Sequence, residues 1–71
     1  MPLHVQVIRN EEPIKIRWGW WHLGCITEAL EREGKTLNDY GHELQKQYTF
    51  YDDSDGEIFT LLPGDRIEAY R

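Results

Sequence analysis

Apolar and polar residues alternate in two short runs at the start of the chain. The runs are LHVQVIR (Leu3–Arg9) and IKIRW (Ile14–Trp18), and both carry β-branched residues on one face. A period of two with β-branched residues is typical of strands, and the intervening NEEP (Asn10–Pro13) has the composition of a turn. We therefore predict an antiparallel hairpin in which Trp18 continues the buried face of the second strand.

After this hairpin the apolar residues follow a helical period. The spacing i, i+3, i+4, i+7 is formed by Leu23, Ile26, Thr27 and Leu30. Charged residues lie on the other side, as expected for an amphipathic helix whose glutamates form an exposed face. The pattern predicts a helix over residues 22–33, with Gly34 as the left-handed residue that ends it.

Three more strands are predicted in the second half of the chain, at Tyr48–Tyr51, Glu57–Leu62 and Arg66–Tyr70. Before them, KTLNDYGHELQKQ (Lys35–Gln47) predicts a short helical turn or an ordered loop, because Gly41 weakens a continuous helix. The expected fold is one α+β domain over residues 1–71. Its elements run strand-strand-helix-strand-strand-strand, with a mixed sheet packed on one main helix.

Composition limits the classes of function. The chain of 71 residues has one cysteine and therefore no internal disulfide, which suits a cytoplasmic protein. It contains no apolar run of membrane-spanning length, so we expect no membrane association. The net charge is −5, and the basic residues are scattered. We therefore expect no nucleic-acid binding, since that requires a basic surface.

The candidate chemistries each lack a required part. His22 and Cys25 form an H-x-x-C pair without the paired cysteines of a zinc site, so we expect no metal. Cys25 lies beside the apolar stripe, where a free cysteine usually acts as a small buried hydrophobe. An EF-hand alignment of YDDSDGEIFTLL places Tyr51 and Leu62 where acidic ligands are needed. We expect neither an enzyme nor a cofactor.

The tryptophans supply the leading functional hypothesis. Trp20 and Trp21 are adjacent and point in different directions, so at least one is expected at the surface. An exposed indole beside Arg17 and His22 has the composition of a protein-contact site. The patch Arg17, Trp20, Trp21 and His22 therefore predicts binding of a protein partner or formation of a homodimer.

The order of elements and several segments resemble the β-grasp (ubiquitin-like) fold. LLPGDRIEAY resembles the last segment of sulfur-carrier and related domains through Leu62, Gly64, Asp65 and Ile67. LHVQVIRNEEPIKIRW and ITEALEREG resemble the opening hairpin and the packed helix. Carrier members of that family end in Gly-Gly, whereas this sequence reads Ala69-Tyr70-Arg71. The resemblance therefore implies non-covalent recognition through a sheet face or an edge strand.

Two alternatives remain at this point. An acidic inhibitor or decoy protein of the mobile-element or phage type would present Asp52, Asp53, Asp55 and Glu57 to a basic site. Its binding would weaken steeply with salt. A winged-helix protein would use residues 23–33 and 36–47 as its helices and 48–62 as its wing, although the second helix would be a poor surface for the major groove.

Overall fold

Six strands and one helix follow one another in a computed structural model that describes residues 4–14, 19–37 and 39–70. The elements are β1 (His4–Arg9), β2 (Glu12–Pro13), α1 (Trp20–Arg32), β3 (His42–Glu43), β4 (Tyr48–Tyr51), β5 (Ile58–Leu61) and β6 (Arg66–Tyr70). The chain is thus a small α+β domain with one helix, and the three predicted C-terminal strands are present within a residue of their expected limits.

The first hairpin turns more tightly than its composition predicted. Asn10 and Glu11 have φ of 53° and 67°, so these two residues alone make the reversal, as in two-residue hairpin loops. β2 begins at Glu12, where a four-residue turn was expected, and the Ile14 amide donates to Val7. Residues 15–18, the rest of the predicted second strand, lie outside the described residues.

Helix α1 begins two residues earlier than predicted and ends within a residue of its expected limit. Within its apolar stripe Ile26 and Leu30 are fully covered, whereas Leu23 and Thr27 are half-buried. Gly34 has φ of 74°, which confirms its left-handed role. The Gly34 amide donates to Glu31 and the Lys35 amide to Leu30, so these two carbonyls near the helix end are satisfied.

The strands form two sheets. One has the order β2-β1-β6-β3 and the other consists of β4 and β5. Each of the four pairs among the described residues is antiparallel, which differs from the mixed sheet that was expected. The difference has a simple cause: alternation determines which face of a strand is buried, and either strand direction satisfies it.

Residues 36–47 form no second helix in the part that the structure describes. His42–Glu43 pairs instead with β6 as β3, and Gly41 has φ of 84°, which a continuing helix does not allow. This local structure contradicts the winged-helix alternative, which requires a recognition helix there. The expectation of an ordered loop is closer to what is observed.

One core joins the helix to both sheets. Its main members are Val5, Val7, Ile26, Ala29, Leu30, Leu44, Tyr48, Phe59, Leu61 and Ile67. In the β1–β6 pair, Val7 lies opposite Ile67, so both side chains share the face that packs against α1. The two-stranded sheet contributes Phe59 and Leu61, which brings the β4–β5 turn close to the first turn of the helix.

Candidate functional site

The start of α1 carries two tryptophans of very different exposure. Gly19 precedes the helix with extended backbone, and Trp20 is its first residue. Successive helical residues point about 100° apart, so Trp20 projects outward with 90% exposure while Trp21 is half-buried. This confirms that one of the two indoles is at the surface. Arg17 and Trp18 lie outside the described residues.

Trp21 packs in an aromatic cluster with His22 and Phe59. The ring centroids are 5.1 Å apart for Trp21 and His22, 6.3 Å for Trp21 and Phe59, and 5.2 Å for His22 and Phe59. All three pairs meet edge to face, a favoured arrangement of aromatic rings. The cluster holds the first turn of the helix against β5 and leaves the Trp20 indole outside it.

The two ring nitrogens of buried His22 have different surroundings. Nε2 lies 2.5 Å from Oε2 of Glu57. An ionised carboxylate only accepts hydrogen bonds, so Nε2 carries the proton and donates it. In the neutral ring Nδ1 is then an acceptor, and among the described residues it is the buried side-chain atom that lacks a partner. Such an atom costs free energy unless a ligand or water pairs with it.

The turn between β4 and β5 holds three carboxylates in fixed positions. Asp52 Oδ1 accepts from the hydroxyl and the amide of Ser54 at 2.7 and 2.9 Å, and Asp55 Oδ1 accepts from the Glu57 amide at 2.9 Å. The two Ser54 bonds, with a smaller effect of His22, hold the pKa of Asp52 below its ordinary value. The second oxygens of Asp52, Asp55 and Glu57 have no hydrogen-bond partner among the described residues.

The helix start and this acidic turn border one open cavity of about 260 Å³. Its lining residues are Gly19, Trp20, Trp21, His22, Asp52, Asp55 and Glu57. We refer to it as the indole–carboxylate cavity. It combines the tryptophan patch and the acidic group, which the sequence had assigned to separate hypotheses. Asp53 belongs to the same turn but does not line the cavity.

Cys25 is buried next to this region. Burial, followed by the charges of Glu28, Asp52 and Glu57, raises the pKa of its thiol to about 11. The thiol is therefore protonated at neutral pH, and neither ring nitrogen of His22 hydrogen-bonds to it. These features differ from those of a nucleophilic cysteine, which needs a thiolate and a base. Within the described ranges, no three His, Cys, Asp or Glu side chains converge as metal ligands.

A second polar cluster lies at the other end of α1, where the sequence indicated only an exposed charged face. The Glu33 carboxylate accepts from His42 Nε2 and Tyr48 Oη at 2.7 Å each and from the Gln45 amide at 2.9 and 3.1 Å. Burial alone would raise the pKa of Glu33, but these hydrogen bonds outweigh it and lower the pKa. The cluster ties the helix end to β3 and β4, so its role is structural.

The Gly-Asp turn that carries the family resemblance is structural as well. Asp65 is only 1% exposed. Its carboxylate accepts from Nε and Nη2 of Arg9 at 2.9 and 2.7 Å and from the Leu62 amide at 2.8 Å. This bidentate pair fixes the turn against β1. Gly64, with φ of 90°, supplies the left-handed conformation that the turn requires.

The fold and the cavity together describe a small α+β domain with an aromatic and acidic recess. No protein-family model, curated protein or solved structure matches the chain. None of the helical structure in the described part of the chain has the length and apolar character needed to cross a membrane.

Proposed function

We propose that the chain is a small, non-catalytic protein-binding module that contacts a basic partner through the indole–carboxylate cavity. The observation that carries this proposal is the 90% exposure of Trp20 at the edge of a recess with three carboxylates. Tryptophan provides a large contact area at low entropic cost and is enriched among residues that dominate binding energy. Nearby charges that are complementary to the partner would set specificity and the rate of association.

The charge of the recess favours a basic partner. Asp52, Asp55 and Glu57 outnumber the single basic group among its described lining residues, His22, and the whole chain carries a net charge of −5. The acidic-inhibitor alternative uses these three carboxylates together with Asp53, which does not line the cavity. It becomes a version of the proposal in which binding blocks the basic site of the partner.

Self-association through the cavity is the competing outcome. In a symmetric dimer the same patch of both copies meets, so the three carboxylates of one copy would approach those of the other. This like-charge contact supports a partner of opposite charge over a second copy. Sedimentation velocity over a range of protein concentrations separates the two outcomes. If the chain dimerises, the fraction of dimer and therefore the average sedimentation coefficient rise with concentration.

Membership of the β-grasp family stays a prediction. The order β2-β1-β6-β3 places the last strand beside the first within a sheet that packs on one helix. The antiparallel β1–β6 pair departs from the mixed sheet that the resemblance implies. The proposed binding role does not depend on this assignment.

The test is affinity capture with the immobilised chain and two matched variants. Trp20→Ala removes the exposed indole, and Tyr40→Ala removes an exposed aromatic residue that does not line the cavity. Trp20 is so exposed that its loss should change stability by less than about 0.5 kcal/mol. We expect capture of a partner by the wild type and Tyr40→Ala and its loss with Trp20→Ala. Equal capture by Trp20→Ala would contradict the proposal.

The salt dependence of that capture reports on the carboxylates. If they contribute, retention should fall between about 0.05 and 0.5 M NaCl, because exposed charges are screened over this range. Retention that does not respond to salt would leave the indole as the contact and remove the argument for a basic partner.

A further inference from the structure

We infer that the indole–carboxylate cavity accommodates the guanidinium group of an arginine side chain. The inference rests on the proposed function, since the partner supplies that side chain, and it specifies the chemistry that the cavity recognises. It depends on the cavity's size, on its unused hydrogen-bond acceptors and on the exposed Trp20 indole.

The size of the cavity suits a single side chain. Its volume of about 260 Å³ lies below the roughly 300–1,000 Å³ typical of pockets for drug-sized ligands. A guanidinium group with its adjoining methylenes is a small, flat object that can enter such an open recess. A larger metabolite would extend beyond the lining residues.

The carboxylate oxygens of the cavity that accept no hydrogen bond from the described residues favour a cation with several N–H donors. One oxygen of each carboxylate accepts a hydrogen bond within the chain. Asp52 accepts from Ser54 and Asp55 from the Glu57 amide. Glu57 accepts from His22. The other oxygen of each has no hydrogen-bond partner among residues 4–14, 19–37 and 39–70. Guanidinium offers five N–H donors in a planar fork, whereas an ammonium group concentrates three donors on one atom. A quaternary ammonium has no N–H donor and would make no hydrogen bond to these oxygens.

His22 Nδ1 is the second and independent indication of a ligand. The His22 side chain is only 6% exposed, and in the neutral ring, with Nε2 donating to Glu57, its Nδ1 is an acceptor without a partner among the described residues. A Cβ atom placed on Gly19 would lie 3.9 Å from this nitrogen, so Nδ1 lies beside Gly19, which also lines the cavity. A ligand N–H that enters beside Gly19 would satisfy it.

The Trp20 indole favours arginine over lysine. Arginine stacks its plane on aromatic faces and is less strongly hydrated than an ammonium group. The Trp20 ring is accessible to such a group, because it is 90% exposed and lies outside the aromatic cluster of Trp21, His22 and Phe59.

The partial positive charge at the start of α1 does not neutralise the three carboxylates of the cavity. The first turn of α1 carries roughly half a positive charge, which three carboxylates exceed. Among the residues that the structure describes, no side chain caps this end of the helix by a hydrogen bond. Among the described lining residues, Asp52, Asp55 and Glu57 therefore leave a net negative charge that suits a cation.

The test uses small probes and the ¹⁵N-labelled full chain. Ethylguanidinium, propylammonium, tetramethylammonium and neutral ethylurea are titrated separately while the indole and backbone amide signals of residues 19–22 and 52–57 are followed by NMR. We expect saturable shifts with ethylguanidinium, at least about fivefold weaker binding of propylammonium and tetramethylammonium, and no saturable shift with ethylurea. Equal binding of the three cations, or no saturable binding of ethylguanidinium, would overturn the inference.

Two pairs of matched variants localise the probe. Asp55→Asn keeps the oxygen that accepts from Glu57 and removes a lining charge, whereas Asp53→Asn removes the same charge from the same turn outside the lining. We expect about threefold to fivefold weaker ethylguanidinium binding for Asp55→Asn, as for loss of an exposed ion pair, and a smaller change for Asp53→Asn. Equal weakening by the two variants would show that the probe responds to the overall acidic charge of the surface and not to the cavity. This result would overturn the inference.

The second pair tests the approach to His22. Gly19 has φ of −157°, which any residue adopts, so Gly19→Ala introduces a methyl group beside Nδ1 without backbone strain. Gly24→Ala is the control, since Gly24 is exposed in α1 and an added Cβ there meets nothing within 4 Å. We expect at least about threefold weaker ethylguanidinium binding with Gly19→Ala alone, by loss of a hydrogen bond. An unchanged affinity would overturn the assigned contact with Nδ1.

These results are separable from the test of the proposed function. If Trp20→Ala abolishes capture of the partner but ethylguanidinium does not bind, the binding module stands and the arginine inference fails. If ethylguanidinium binds selectively but Trp20→Ala leaves capture intact, the cavity recognises guanidinium as inferred and the proposed function fails.

Discussion

Replacing Glu33 by glutamine should destabilise the domain although its shape is almost unchanged. The carboxylate lies just beyond α1 with a side chain only 7% exposed. Its Oε1 accepts from His42 and its Oε2 from Tyr48, while the Gln45 amide reaches both oxygens. Glutamine keeps one accepting oxygen and replaces the other by a donor, so one set of these contacts is lost.

The expected loss follows from the nature of these hydrogen bonds. A bond to a charged acceptor contributes about 1.5–3 kcal/mol, and a neutral bond about 0.5–1.5 kcal/mol. Weakening two bonds of Glu33 from charged to neutral strength therefore costs roughly 2 kcal/mol, and outright loss of a bond costs more. A domain of this size has a net stability of about 3–5 kcal/mol, so the variant should lose near half of it. The melting temperature should fall by roughly 8–16 °C.

The pH dependence has a definite sign. The pKa of Glu33 is lower in the folded protein than its ordinary value, so its contribution to stability is complete above about pH 4.3. It is lost as the pH falls through the lower pKa of the folded state. The difference between wild type and Glu33→Gln should therefore be largest at neutral pH and shrink in acid, where the wild-type carboxylate also becomes neutral.

Urea denaturation followed by circular dichroism at several pH values measures this difference. Glu31→Gln is the matched control, because Glu31 is an exposed glutamate in the last turn of α1 and its replacement should cost less than about 0.5 kcal/mol. Equal effects of the two substitutions, or a difference for Glu33→Gln that persists unchanged in acid, would refute the structural role assigned to the Glu33 carboxylate.

Three further predictions concern the core and the indoles. Ile26→Asp should cost at least several kcal/mol by placing an unpaired carboxylate at a fully buried position, whereas Glu28→Ala should cost about 0.5 kcal/mol or less; similar melting temperatures would show that the helix register is wrong. The Cys25 thiol should react with Ellman's reagent far more slowly in the native protein than in urea at pH 8, since its pKa is about 11; equal rates would contradict its burial. A variant whose only tryptophan is Trp20 should be quenched strongly by acrylamide and one with only Trp21 more weakly; equal quenching would show that the two indoles are equally exposed.

The local period of the sequence was sufficient to predict most of the elements. The 3.6-residue period identified α1 and its buried Ile26, and alternation identified β1 and β6, because burial of one face imposes these spacings on any stable element. Glycine at Gly34 predicted the helix end for a similar local reason, since its positive φ is costly for other residues. The exposure of one adjacent tryptophan followed from the same geometry.

What the sequence could not supply are relations between distant segments. The direction of β1 against β6 is invisible to alternation, because antiparallel and parallel pairing bury the same faces. The sequence pattern placed Glu33 among the exposed glutamates of the helix. In the fold, β3 and β4 bring His42 and Tyr48 into hydrogen-bond contact with it. The indole–carboxylate cavity likewise joins His22 to Glu57, 35 residues apart. Only tertiary packing decides such contacts. The sequence of each segment shows a polar side chain but not the distant residue with which that side chain will form a hydrogen bond.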